Sequence, residues 1–397
     1  MASYLFEKSL RIIQITSILR SFWLAYFLSV IYQKFVGLND FTIGISLLLM
    51  GVSIFVLDIP TGVFADKFGY KKSIIISYIF IALAFFSLVA AAFVGWWVAL
   101  FVTPILFGFH YAFSSGAVQA YVYSIFKINK NNQGYLKFNS RLKLYTSVST
   151  AIACIVGGVL YPFSQSLPYL LQGIIMVFAT VMLLFLQPIK VKQEDKFSFL
   201  KQIKTATRVL SKKKIVFYLM ISIFFINLSF NIFLHLTCQS FWLEKGITIS
   251  EIGVIGAVIF IIDGLVSSFT SKIWSKFGEK NCYLLLAILS VVVQILLAFS
   301  NTLITITILS GLMFGIASIV GYIFDFSLQK RIKDATRATT SSISNMFLSL
   351  GYRVGLFGVG AMLALMTYST SLILLASTFG IIGILLTLIL LIKKNFK

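Results

Sequence analysis

Acidic residues are scarce in this sequence: 12 Asp and Glu face 33 Lys and Arg among 397 residues. All four charged types make up only 11% of the chain, where a soluble domain carries about 25%. Histidine is scarcer still, with 2 residues. So few carboxylates and imidazoles leave little material for a catalytic metal site. The patterns H-E-x-x-H, G-x-S-x-G and the phosphate-cradling G-x-x-x-x-G-K-[ST] are absent. The three cysteines, Cys154, Cys238 and Cys282, show no pair spacing, so neither a disulfide framework nor a metal cluster is expected. No small-residue cleavage site follows the first apolar run, which is too long for a signal peptide's core and reads as a retained helix. An enzyme embedded in the membrane is the alternative class, and these absences argue against it. No cofactor is expected.

Apolar sequence is what the chain has. Hydrophobic residues make up 59%, the mean hydropathy is +0.98, and runs of about 20 apolar residues recur, each long enough for a bilayer core of roughly 30 Å. They do not alternate as barrel strands would, and helices satisfy their own backbone in lipid. The expected fold is therefore all-α and polytopic. Twelve spans are expected, at about 12–36, 41–64, 73–94, 96–126, 141–163, 169–187, 215–243, 251–273, 282–299, 303–327, 339–365 and 371–392.

The net charge of +21 would fit a nucleic-acid partner until its placement is considered. With the N-terminus inside, 29 of the 33 Lys and Arg fall in segments facing the cytoplasm. The exceptions are Lys34 and Lys245 outside, and Arg20 and Arg353 within spans. This asymmetry predicts a multi-pass cell-membrane protein with both termini cytoplasmic. Anionic lipid is then the partner of the basic loops, and nucleic acid is not needed. The longest non-apolar stretch divides the chain into a six-helix bundle at 1–187, a cytoplasmic loop at 188–214 and a second six-helix bundle at 215–397. In the loop, Phe199, Leu200, Ile203, Ala206 and Leu210 recur at helical spacing among Lys196, Lys201, Lys204, Arg208 and Lys212. That is the pattern of a helix lying on the inner leaflet, with a solvated linker as the alternative.

The halves echo one another. Asp66-Lys67-Phe68-Gly69-Tyr70-Lys71-Lys72 follows the second span, and Ser275-Lys276-Phe277-Gly278-Glu279-Lys280-Asn281 follows the eighth. The first, extended back to Gly62, resembles the G-x-x-x-D-x-x-G-x-[RK]-[RK] loop of the major facilitator superfamily. Asp58-Ile59-Pro60-Thr61-Gly62 and Arg337-Ala338-Thr339 with Ser341 resemble a bacterial branch of permeases and drug exporters. The resemblance implies two pseudo-symmetric six-helix bundles that alternate access to a midplane site. In that loop Gly62 would let two helices approach, Gly69 would allow a tight turn, and Asp66, with Lys71 and Lys72, would latch one conformation. The segment from Ser115 to Ser124 is similar to the branch's helix 4, but Gln119 and Ser124 stand where acidic residues are common. An Arg usual in helix 4 of drug/proton antiporters is absent, and so is their Gly-Pro-x-x-Gly-Gly in helix 5, where only Gly157-Gly158 stands. These departures weaken the antiport implication.

Ionisable groups at membrane depth are functional candidates. Arg20 and Arg353 would hold an anionic group or counter a carboxylate, with snorkelling or internal pairing as the ordinary alternatives. Asp263, the deepest acid, is the first proton-coupling candidate, followed by Asp58, His235 and His110. Either histidine could equally be a packing residue. Asn227, Asn231 and His235 share a face of helix 7, and Tyr111, Ser115, Gln119 and Tyr123 share one of helix 4. Ser318, Tyr322, Asp325 and Gln329 form a third stripe. Arg20, Arg353, Tyr111, Ser115, Gln119, Asn227, Asn231, Tyr322 and Asp325 are the candidates for the solute cavity. The expected function is proton-coupled export of a small amphipathic or drug-like solute by a monomer. The same fold importing an anionic solute, or flipping a lipid, is the alternative.

Overall fold

The computed structural model describes residues 2–128, 132–189, 214–331, 337–363 and 365–392. The basic loop expected to carry a surface helix lies almost wholly outside them. Every regular element among the described residues is helical. Eleven helices are long and apolar enough to cross a membrane: Phe6–Phe35, Asp40–Asp58, Tyr70–Val94, Val98–Phe126, Lys137–Leu160, Leu167–Leu184, Ile221–Glu244, Ile249–Ser268, Asn281–Ala298, Leu303–Phe324 and Tyr368–Ile389. The helix Arg337–Met362, apolar over Leu348–Met362, supplies the twelfth. They are called spans 1 to 12 in chain order, with Arg337–Met362 as span 11. The helix of span 2 continues to Phe68.

The chain forms two compact units, one of Met1–Lys196 with Ile249–Ala257 and one of Phe197–Thr248 with Val258–Lys397. In the first, span 2 packs on span 4, span 3 on spans 4 and 6, and span 1 on spans 5 and 6. In the second, span 9 packs on spans 10 and 12, and span 7 on spans 11 and 12. Ile262 and Val266 of span 8 fill notches at Gly311 and Gly315 of span 10. Adding six to each span number converts the first set of pairs into the second, so the echo seen in two short loops extends to whole bundles. The backbone agrees at the echo itself. Gly69 and Gly278, at equivalent places, both take a positive φ, +93° and +69°, which glycine adopts at little cost.

Small residues let the helices approach closely, as they must where lipid offers no hydrophobic drive for association. A Cβ on Gly351 would come within 2.4 Å of Phe224, and one on Gly355 within 2.3 Å of Leu228. Gly62 is not used this way: a Cβ there would meet no atom within 4 Å. Polar side chains add interhelical bonds, such as Tyr32 to the Leu88 carbonyl at 3.0 Å and Tyr283 to Ser327 at 2.9 Å.

Two spans expected as single helices are discontinuous. Span 1 unwinds between Ser21 and Tyr26. Its loose ends are taken up by neighbours: Thr150 donates to the Ser21 carbonyl at 2.8 Å, and the Leu24 amide donates to Gln172 Oε1 at 3.3 Å. Span 4 breaks at Ser115 and Gly116, between helices Thr103–Ser114 and Ala117–Ile128. The stripe Tyr111, Ser115, Gln119, Tyr123 is therefore not one continuous helical face. Non-helical backbone at this depth requires substitute partners, and those partners lie far away in sequence.

Candidate solute site

The second unit holds a cavity of about 300 Å³ lined by Phe224, Asn227 and Asn231 from span 7, Gly321 and Phe324 from span 10, and Leu348, Ser349 and Tyr352 from span 11. Span 7 delivers its two amides because they sit four residues apart, one turn of an α-helix. The Asn231 amide nitrogen donates to the Asn227 carbonyl at 2.8 Å. That bond orients Asn231 and leaves the Asn227 side chain able to both donate and accept. Span 10 contributes Gly321 and Phe324, not the expected stripe. Tyr322 is 46% exposed and lines no part of the cavity. Asp325 lies in the same helix, but its side chain falls outside the description.

A cation lies behind Tyr352, outside the cavity lining. The Arg353 guanidinium stands 5.2 Å from the Tyr352 ring centre, and Arg353 is only 6% exposed. The His235 ring stacks on the other partner of this group, Tyr352, at 6.0 Å and 21°. His235 is exposed. It lies in the π-helical turn Phe233–Thr237, a wide turn that changes the register of the span and is common near functional sites. The arrangement offers three aromatic rings, two amides and two hydroxyls, with a buried positive charge behind one ring. Such a lining can both stack on and hydrogen-bond a small solute.

The other candidates fall elsewhere. In the first unit Arg20 lies near enough to His110 and Tyr78 for its charge to act on both. His110 is buried, and its Nδ1 is 2.9 Å from both the hydroxyl and the carbonyl of Ser77. The Tyr111 ring lies 5.1 Å from the His110 ring. Asp58 lies near enough to the Ser115 side chain for the two to act on each other, and Gln119 is exposed. In the loop Gly69 makes the turn, Lys71 Nζ donates to the Leu184 carbonyl at 2.7 Å, and Lys67 and Lys72 lie 5.3 and 5.9 Å from the Phe68 ring. The Asp66 side chain lies outside the description, so its latch role stays an expectation.

Asp263, in span 8, has a carboxylate oxygen buried with no hydrogen-bond partner, and no ion pair to it is formed among the described residues. A charged, unpaired carboxylate at this depth is costly. Sequence reasoning missed the aromatic half of the cavity. Phe224, Phe324 and Tyr352 are three among 40 Phe and 17 Tyr, and nothing local distinguishes them.

Two repeated bundles of apolar helices, with a polar aromatic cavity in one, define a polytopic membrane transporter. Residues 11–244 match the model of the Major Facilitator Superfamily, and the chain belongs to that family. No curated protein matches it by sequence. Among solved structures it is similar to a mutant form of the nucleoside transporter NupG, with a TM-score of 0.80, 15% identity, and coverage of 96% of this chain and 98% of that one. Another crystal structure of NupG matches with a TM-score of 0.78 at 15% identity, over 98% and 99%. A D-xylose-proton symporter matches with a TM-score of 0.69 at 14% identity, over 96% and 97%. At such identities the likeness concerns the fold.

Proposed function

We propose that this chain is a proton-coupled secondary transporter of a small polar solute built around a ring, held in the second unit by Asn227, Asn231, Ser349 and the rings of Phe224, Phe324 and Tyr352. The observation that carries the reading is the convergence of two amides and three rings on one cavity of about 300 Å³. That is the small end of ligand pockets. It suits a polar, nucleoside- or monosaccharide-sized compound better than the small amphipathic or drug-like solute expected from the sequence. The solutes named for the structural neighbours, a nucleoside and D-xylose, are of this size. In this reading the protein is a monomer in the cell membrane, and the distribution of Lys and Arg supports placing both termini in the cytoplasm.

Asp263 is the proton carrier. One of its carboxylate oxygens is buried with no hydrogen-bond partner among the described residues, and that is the observation that supports the assignment. A second reading, uptake of an anionic solute, is favoured by Arg353 behind Tyr352.

The test is counterflow in proteoliposomes with radiolabelled nucleosides, pentoses, hexoses and small carboxylates, and with a bulky cationic dye. At least one nucleoside or sugar exchanges, and Asn231→Ala raises its KM about tenfold, the equivalent of roughly one to two hydrogen bonds. Exchange of the dye alone, or an unchanged KM in Asn231→Ala, refutes the assignment. Exchange of carboxylates alone selects the anionic reading. The sign of the pH gradient that drives accumulation tells export from uptake.

A further inference from the structure

The break in span 4 is held by particular side chains. Ser115 has a ψ of 115° and Gly116 a φ of +70°. Among the described residues, neither the Gly116 nor the Ala117 amide returns to a carbonyl one turn earlier, and the ladder resumes with the Ala120 amide on the Gly116 carbonyl at 2.8 Å. In an unbroken helix those two amides would occupy the carbonyls of Ala112 and Phe113. Here hydroxyls occupy them instead. Thr61 Oγ1 lies 2.9 Å from the Ala112 carbonyl, and Ser73 Oγ lies 2.8 Å from that of Phe113. Asp58, from the same helix as Thr61, lies near enough to Ser115 at the break for the two side chains to act on each other.

All three side chains flank one loop. Asp58 and Thr61 belong to the Asp-Ile-Pro-Thr-Gly segment leading into it, and Ser73 directly follows Lys72. Thr61 has a single hydroxyl hydrogen. Its oxygen is also 2.9 Å from the Leu57 carbonyl and 3.1 Å from that of Asp58. It can therefore release Ala112 and bond back to its own helix without moving.

We propose that span 4 is a two-state element, broken or continuous, and that Asp58, Thr61 and Ser73 form the clasp that selects the broken state. On release, the amides of Gly116 and Ala117 take over the carbonyls of Ala112 and Phe113. The helix closes, and Ala117–Ile128 turns relative to Thr103–Ser114. Both carbonyls have a donor in either state, so the states exchange the hydroxyl donors of the clasp for the amides of Gly116 and Ala117, a difference of a few hydrogen bonds that movement of the neighbouring loop can reverse. Glycine at 116 permits both backbone conformations. The Asp-x-Pro-Thr-Gly segment thereby acquires a task distinct from that of the charged loop after it: it sets the backbone of span 4.

Hydrogen–deuterium exchange of the full-length protein in nanodiscs reads this directly. In wild type, the amides of 116–118 exchange faster than those of Thr103–Ser114. In Thr61→Val/Ser73→Ala the helix closes, and exchange at 116–118 slows about tenfold or more, while Thr61→Ser/Ser73→Thr keeps the wild-type rate. Gly116→Ala also slows it about tenfold, because a side chain disfavours a positive φ and a Cβ there meets nothing within 4 Å. If the hydroxyls merely pack, removing them leaves 116–118 exchanging as fast as before or faster, with spans 2 and 3 still protected, and the proposal is overturned. Should the double variant lose protection throughout spans 2 and 3, Gly116→Ala decides the matter alone. Slow exchange at 116–118 in wild type also overturns it.

Discussion

Asn227 and Asn231 show how far a single residue type can be read. An amide at membrane depth needs a polar neighbour, so their four-residue spacing in an apolar helix placed both on an inward face, and both line the cavity. Tyr352, which closes the same cavity and touches both His235 and Arg353, gave no such signal, because an aromatic residue in a span is at home in lipid, in packing or in a site. Its ring should matter more than its hydroxyl. Tyr352→Phe is expected to keep solute exchange within about threefold of wild type, while Tyr352→Leu loses about tenfold in kcat/KM, the worth of a ring contact and a cation–π pair. Exchange measured in proteoliposomes decides this, and equal losses in both variants would place the hydroxyl at the centre. The histidines, the pair most open to a titrating role by sequence, divide. His110 is buried against Ser77, the ordinary packing arrangement, and His235 is exposed beside the cavity.

At the scale of the element, the twelve apolar runs were legible because length and hydropathy alone decide whether a helix can span a bilayer. The breaks in spans 1 and 4 were not. Their causes are tertiary: Gln172 and Thr150 for span 1, Thr61 and Ser73 for span 4. The glycine pair at 157 and 158, read only as the remnant of a longer family element, has a specific task. A Cβ on Gly157 would stand 1.6 Å from the Leu24 carbonyl oxygen, in the unwound stretch of span 1, and one on Gly158 would stand 2.9 Å from the Gly253 Cα. The backbone cannot yield as a flexible side chain can. Gly157→Ala should therefore cost about 3 kcal/mol and lower the melting temperature of the detergent-solubilised protein by about 5 °C or more. Gly358→Ala, where a Cβ meets nothing within 4 Å, should leave it unchanged. An unaltered melting temperature in Gly157→Ala would mean that span 1 does not unwind against span 5.

For the whole molecule, the duplication explains more than any single motif. A seven-residue echo was all that the sequence displayed, because lipid-facing positions constrain only hydrophobicity and let residue identity drift. Packing constrains which helix touches which, so the same pairs recur in both units. The proposed orientation, with both termini in the cytoplasm, rests on the basic loops. Single cysteines introduced in turn at Lys71, Glu279 and Lys394 should all react with an impermeant maleimide only from the cytoplasmic face, and those at Lys34 and Lys245 only from the other. A reversed pattern would overturn the orientation, and a mixed one would break the order of the crossings.

The account depends above all on solute movement being driven by a proton gradient through Asp263. Purified protein in liposomes bearing only an imposed pH gradient, supplied with the solute found by counterflow, should accumulate it above equilibrium. Asp263→Asn, a fixed neutral mimic of the protonated acid, should still exchange solute but no longer concentrate it. Accumulation by Asp263→Asn equal to wild type, or a wild type indifferent to the gradient, would contradict the account.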